Sequence, residues 1–165
     1  MTKKLYDRSS EEVPYPQLPA AFRTAISSHV EEYGLPTPWD TVLCCRTRSR
    51  RLYRNGLLAR LTGSADRDVE SVGVAVLTAR HLIVLTHGEH RGTTVLSAPL
   101  STMRTHGHPR LPEGARDEVL DSGFSVWVHW SRFPEGAAYH VAAGDDPAGH
   151  RLREALAAAV RQTQS

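Results

Sequence analysis

The sequence predicts a mainly β domain, a small sandwich or barrel of seven short strands with a helix before it and a helix closing it. Three observations carry this expectation. From residue 40 onward, short runs rich in Val, Ile, Leu and Thr alternate with turn residues. No helical pattern separates one strand run from the next, which argues against a βαβ architecture. Apolar residues at helical spacing recur near the two ends of the chain, at Phe22, Ile26, Val30 and Tyr33 and again at Leu152, Leu156, Ala159 and Val160.

Residues 1–18 carry charges and prolines and read as an extended, weakly ordered arm. Pro19 suits the first turn of the following helix and Gly34 its end. Leu35-Pro-Thr-Pro-Trp39 then forces an extended connector, since each proline disfavours helix in the residue before it. The first strand is expected at 41–48. Asn55-Gly56 is the strongest hairpin signal, because both residues tolerate positive φ, and 57–62 reads as the returning strand. Residues 72–78 and 82–87 form two further strands and 93–103 a fifth; 105–114 is a loop with two glycines and two prolines. In 123–131, Phe124, Val126, Val128 and Trp130 share one face, and Trp127 lies on the other. A turn at Pro134-Glu-Gly136 leads to a seventh strand at 137–142. Asp146 is a good N-cap and Pro147 a good first residue for the last helix.

At 165 residues, 40% of them hydrophobic and 23% charged, the chain has the length of one domain and can bury a sizeable core. No run approaches the roughly 18 apolar residues of a membrane span. The first residues are charged and lack the apolar stretch of a secretory signal, so the expected location is cytoplasmic. Adjacent Cys44 and Cys45 cannot form a disulfide framework. On a strand they point to opposite faces, one into the core and one outward, where Arg46 would lower the thiol pKa.

The pattern of seven strands and one closing helix resembles the pleckstrin-homology-like (PH-like) domains, including bacterial PH-like and GRAM-like members. The likeness sharpens at Val74-Ala-Val-Leu-Thr-Ala-Arg-His-Leu-Ile-Val84, a hairpin of the type found in those domains, although His81 stands where Arg is commoner. Val95-Leu-Ser-Ala-Pro-Leu100 is similar to the strand that follows, and 149–160 to the closing helix. The resemblance covers about residues 40–162. With the arm at 1–18 and the helix and connector at 19–38, it leaves 39–165 as the PH-like domain, and it implies a two-sheet barrel capped by a helix. That fold hosts lipid binding, peptide binding and scaffolding, so it does not fix a function.

Charge supplies the candidate site. Arg46, Arg48, Arg50, Arg51, Arg54 and Arg60 fall between residues 41 and 65 with no acidic residue among them, while the rest of the chain carries a net charge of −4. Arg46, Arg48 and Arg50 share a strand face. If Asn55-Gly56 closes a hairpin, Arg51 falls opposite Arg60, a destabilising pair unless an anion sits there. In PH-like domains that bind phosphoinositides the first loop supplies basic residues, and the resemblance would bring Arg80 and Arg132 from two other loops to the same site. Pairing of these arginines with Asp66, Asp68 or Glu70 is the plainer explanation.

Nine histidines include His87-x-x-His90 and His106-x-His108, both in expected loops and without the arrangement that zinc requires, so no metal and no cofactor is expected. No nucleophile elbow, P-loop or dinucleotide fingerprint occurs. Nor is there the basic, aromatic-rich strand face of RNA-recognition domains, so nucleic acid is not an expected partner. The expected function is a non-enzymatic binding or scaffolding module for a protein or peptide. An anionic lipid is the alternative ligand. A barrel enclosing a small ligand, or an enzyme without a recognisable motif, is the alternative from another class. A polar interior cavity would favour the latter, and an exposed groove beside the closing helix would favour protein binding. The apolar stripe of the first helix must dock, on its own barrel or in a homodimer.

Overall fold

The computed structural model describes residues 4–36, 41–63, 66–105 and 122–165. In chain order the elements are β1 (Tyr6–Glu12), α1 (Ala20–Glu32), β2 (Thr41–Arg51), a one-turn helix α2 (Leu57–Leu61), β3 (Glu70–Thr78), β4 (His81–Gly88), β5 (Gly92–Pro99), β6 (Gly123–Trp130), β7 (Phe133–Ala142) and α3 (Pro147–Gln164). Short 3-10 turns follow β1 and β5. The first five strands form one antiparallel sheet in sequential order, and β6 pairs with β7. The fold is thus mainly β, with seven strands in a five-plus-two arrangement, an N-terminal helix and a C-terminal capping helix. Among the described residues no helix is long and apolar enough to cross a membrane.

The count of seven conceals two corrections. The arm holds a strand: β1 pairs with β2 from Tyr6↔Arg51 to Glu12↔Cys45. Conversely, 57–62 is not a returning strand. β2 pairs with β1 and β3, and Asn55-Gly56 leads into α2 instead of a hairpin. Two smaller boundaries also move. β5 stops at Pro99 and gives way to a 3-10 turn. β7 begins at Phe133, so Gly136 lies within the strand at φ +88°, where a Cβ would come within 2.3 Å of the Trp127 ring. The connector residues 37–40 and most of the loop expected at 105–114 lie outside the described residues.

Both faces of the large sheet are buried around its middle strands. Leu43, Cys45, Ala75, Leu77, Leu82, Val84, Leu96 and Ala98 face inward and form one core with Phe124, Val126, Val128, Trp130 and Val141 of the small sheet and Leu152, Leu156 and Val160 of α3. Cys44, Val74, Val76, Ile83, Leu85 and Val95 face outward and form a second core with Tyr15, Leu18, Ile26 and Val30. Burial on both sides is why β3 and β4 read as continuous apolar runs, whereas β6, with Trp127 part-exposed, alternates.

Helix α1 therefore docks on its own sheet through Ile26 and Val30, with Phe22 packed against that core, while Tyr33 at the end of the stripe stays exposed. Its end is a Schellman turn: Leu35 N–H donates to Val30 O at 2.9 Å, Gly34 N–H to Glu31 O at 3.2 Å, and Gly34 takes φ +60°. One buried polar contact fixes the dock. His29 and Ser97 Oγ share a hydrogen bond of 2.8 Å, and Ser97 N–H donates to Ser131 Oγ at 3.2 Å. Burial lowers the His29 pKa, Arg132 adds to the effect and Glu32 opposes it; burial likewise lowers that of His81, aided by Arg80.

Helix α3 is clasped to β1. Asp146 caps it through Oδ1, which accepts from Gly149 N–H at 2.9 Å, while Oδ2 accepts from Ser10 N–H at 2.8 Å. Ser10 Oγ also accepts from Gly144 N–H at 2.8 Å and lies 2.6 Å from Thr47 Oγ1. Gly149 permits this approach, since a Cβ there would come within 2.0 Å of Gly144 O.

Two outcomes follow from these contacts. Leu156→Ala should cost about 2–5 kcal/mol. Asp146→Ala should cost roughly 2–3 kcal/mol, more than a cap alone, because Ser10 N–H loses its acceptor as well. Both are read from urea midpoints, and an Asp146→Ala loss no larger than an ordinary cap would refute the clasp. Separately, histidines whose folded pKa is depressed bind protons more readily in the unfolded chain. The stability they contribute is present above about pH 6.5 and is lost as pH falls below that value. The urea midpoint should thus fall between about pH 7.5 and pH 5.5, and His29→Gln should flatten the fall. A pH-independent midpoint would contradict the assignment.

Candidate docking surface

β2 places Cys44, Arg46, Arg48 and Arg50 on the outer face of the sheet. The register interleaves them with acids: Arg46 lies opposite Glu11 and is ion-paired with it, and Arg50 lies between Asp7 and Glu70. Arg48 faces Ser9 and Val72, with no carboxylate directly opposite. A half-exposed pair such as Arg46–Glu11 contributes at most about 1 kcal/mol, but the alternation removes the repulsion that the sequence alone suggested. Arg51 does not oppose Arg60. Its guanidinium donates to Asp66 O and lies 5.4 Å from the centre of the Tyr53 ring.

The eight candidate arginines are not brought together. Arg51, Arg54 and Arg60 lie at the end of the sheet where β2 leaves it. Arg80 lies in the β3–β4 turn, beyond the other end of β3, roughly 30 Å away at the rise of an extended chain. Arg132 lies in the β6–β7 turn, close enough to α1 for its charge to act on His29. The three-loop basic pocket that the family resemblance implied is therefore not assembled.

The structure instead reveals a projection between β2 and β3. Its base is braced. Leu52 N–H donates to Leu5 O at 2.9 Å and Arg51 N–H to Val69 O at 2.8 Å. Asn55 Nδ2 donates to Asp66 O at 2.6 Å, and the Tyr6 and Tyr53 hydroxyls lie 3.2 Å apart. Burial, with the Tyr53 contact, pushes the Tyr6 pKa up to about 12. Asp66 and Asp68 tie this base to the β4–β5 turn. Asp66 holds Arg91 at 2.8 Å. Buried Asp68 accepts from His90 N–H at 2.7 Å, from Arg91 N–H at 3.2 Å and from Arg91 Nε at 3.0 Å, which keep its carboxyl well below the usual carboxylate range.

On this base α2 presents Leu57, Leu58 and Leu61 to solvent, 77%, 78% and 79% exposed, with Arg54 and Arg60 exposed beside them. Among the described residues, six of the eight exposed large hydrophobics lie at this end of the molecule: these three leucines with Leu5, Leu52 and Val69. Such clustering marks an interaction surface more clearly than scattered exposed leucines do. A signal existed in the sequence. Adjacent Leu57 and Leu58 violate the alternation of a half-buried strand, and 57, 58 and 61 fit one side of a helical turn.

Other candidate sites carry less. A cleft of about 180 Å³ opens between the inner face and β7. It is smaller than the usual 300–1,000 Å³ of a ligand pocket. Its arginines are engaged, Arg8 with Ser49 Oγ at 3.1 Å and Ser122 O at 2.7 Å, and Arg91 with the two aspartates. A groove of about 530 Å³ lies beside α3, lined by residues 12–16, 41–44 and Arg151. His87 and His90 turn to different partners, Thr93 Oγ1 at 2.8 Å and Asp68. Among the described residues no three metal-ligating side chains converge. His106 and His108 lie outside those residues. Trp130 is the buried tryptophan of its strand.

Both cysteines are buried, which corrects the outward thiol expected beside Arg46. Cys44 sits beneath the α1 side of the sheet, and burial pushes its pKa up to about 12. Cys45 sits in the inner core and is also raised by burial. The outward position was already filled by the second core.

Compared with known proteins, the chain matches no family model, no curated protein and no solved structure.

Neither thiol should react with a thiol-specific reagent such as dithionitrobenzoate in the folded protein, and both should react in denaturant. Stoichiometric labelling of the native chain at neutral pH would overturn this assignment.

Proposed function

We propose that the chain is a non-enzymatic binding module of PH-like architecture that docks through the projection between β2 and β3. One observation carries the reading: Leu57, Leu58 and Leu61, on one helical turn, stand largely in solvent on a base braced by hydrogen bonds and ion pairs. A chain gains no stability from holding such side chains in water, and a braced tip loses little conformational entropy when it docks. Burial of both thiols and the engagement of the cleft arginines support a role in attachment over catalysis.

The test is to fractionate cells that produce the full chain or the Leu57→Ser/Leu61→Ser variant. Because both side chains are exposed, the variant should keep its stability to within about 0.5 kcal/mol. The parent chain should migrate in an assembly or sedimenting fraction and the variant as a free chain. Identical distributions of two equally stable proteins would refute the projection as the docking element.

A further inference from the structure

We infer that α1 is an acid-sensitive latch: protonation of His29 releases the helix from the outer face of the sheet, while β1, the sheet and the inner core stay folded. The two covers of the sheet are fastened unequally. Polar contacts hold α3 at both ends, Asp146 with Ser10 N–H at its start, and at its finish Gln164 Nε2 donating to Leu100 O at 3.2 Å and to Met103 O at 2.8 Å. α1 has no side-chain cap at its start. Among the described residues, the His29–Ser97 contact is the one side-chain hydrogen bond that joins it to a strand. The turn that leads into α1 also buries the Tyr15 hydroxyl without a partner, a penalty that release removes.

The surroundings of His29 suit a neutral ring. It is 4% exposed, so a charge there loses its hydration. β5 beneath it offers the uncharged Ser97. Arg132, on the β6–β7 turn, opposes a positive ring, whereas Glu32 in α1 itself favours one; the Tyr33 ring packs 4.5 Å away. On β4, His81 lies on the same face beside Arg80, and His87 touches Phe22 while sharing a hydrogen bond with Thr93 Oγ1. Burial and Arg132 outweigh Glu32, and in water the ring regains its ordinary proton affinity. Acid therefore favours the released form. A helix of 13 residues is marginal without tertiary contacts, so its state follows that of its dock.

Release is local because the two cores lie on opposite faces and share no residue. Val13 N–H, donating to Cys44 O at 3.0 Å, and the β1–β2 ladder keep the preceding chain on the sheet. Adjacent cysteines report on the two faces separately: Cys44 lies under α1 and Cys45 in the inner core.

The experiment follows labelling of each cysteine in the full chain by dithiodipyridine, which stays reactive toward thiols in acid, with the two sites resolved by peptide mass. Rates are divided by those of the denatured chain at the same pH. A histidine of pKa about 6.5 when released, and neutral when docked, allows a rise of up to about tenfold between about pH 7.5 and 5.5. Cys44 should show a rise of several-fold within that limit, and Cys45 should stay protected. His29→Gln should abolish the rise. Arg132→Gln, at an exposed position that leaves the fold intact, should shrink it. His81→Gln and His87→Gln should leave it in place. A parallel rise at both cysteines means global unfolding and overturns the latch. A flat Cys44 rate overturns it too, as does a rise that persists in His29→Gln or that disappears in His81→Gln or His87→Gln instead.

Discussion

A sheet buried on both faces is the constraint from which the rest of this structure follows. β3 and β4 send Ala75, Leu77, Leu82 and Val84 to one side and Val74, Val76, Ile83 and Leu85 to the other. Such strands need two covers. The small sheet and α3 supply one, and α1 supplies the second, which is why a helix is inserted between two paired strands. The insertion is geometrically cheap, because β1 ends opposite Cys45 and β2 begins only four residues earlier.

The inner core is not uniform along the strands. Toward α3 it is filled by Leu43, Leu77, Leu82, Leu100 and Met103. Toward the other end the inward positions become polar, with Thr47, Ser49, Ser71 and Thr86, and the strand connections are held by Asp66, Asp68, Arg91 and the tyrosine pair. That end is fastened by hydrogen bonds and charge, not by apolar packing. Leucines placed there have no core to enter, so α2 carries them outward on a firm base. The outer-face arginines, in contrast, are absorbed into a cross-strand alternation of charge.

Much of the fold was legible because local chemistry decided it. The stripe of α1, its Gly34 stop, the Asp146-Pro147 start of α3 and the apolar face of β6 all express short-range preferences that tertiary contacts reinforced. Where reading failed, partners distant in sequence had intervened. Polar, charged residues 6–12 became a strand because β2 offered hydrogen bonds from Cys45 to Arg51 and complementary charge at Arg46 and Arg50, opposite Glu11 and Asp7. Asn55-Gly56 makes no hairpin turn, Gly56 being extended at φ −65° as it enters α2, and the segment beyond it could not return along β2, whose two edges were already taken by β1 and β3.

By itself the sequence determined the class of the chain, its terminal helices, the faces of its most alternating strand and the presence of a basic segment without acids. These depend on periodicity, capping and composition, which are properties of neighbouring residues. Only the tertiary structure decided how that basic segment is divided. Strand register set Arg46 and Arg50 against Glu11, Asp7 and Glu70, β3 separated Arg80 from Arg54 and Arg60, and the brace around Asp66 and Asp68 left three leucines outside every core. Register and burial are relations between segments far apart in the chain, and for that reason the docking surface was hidden until the strands were paired.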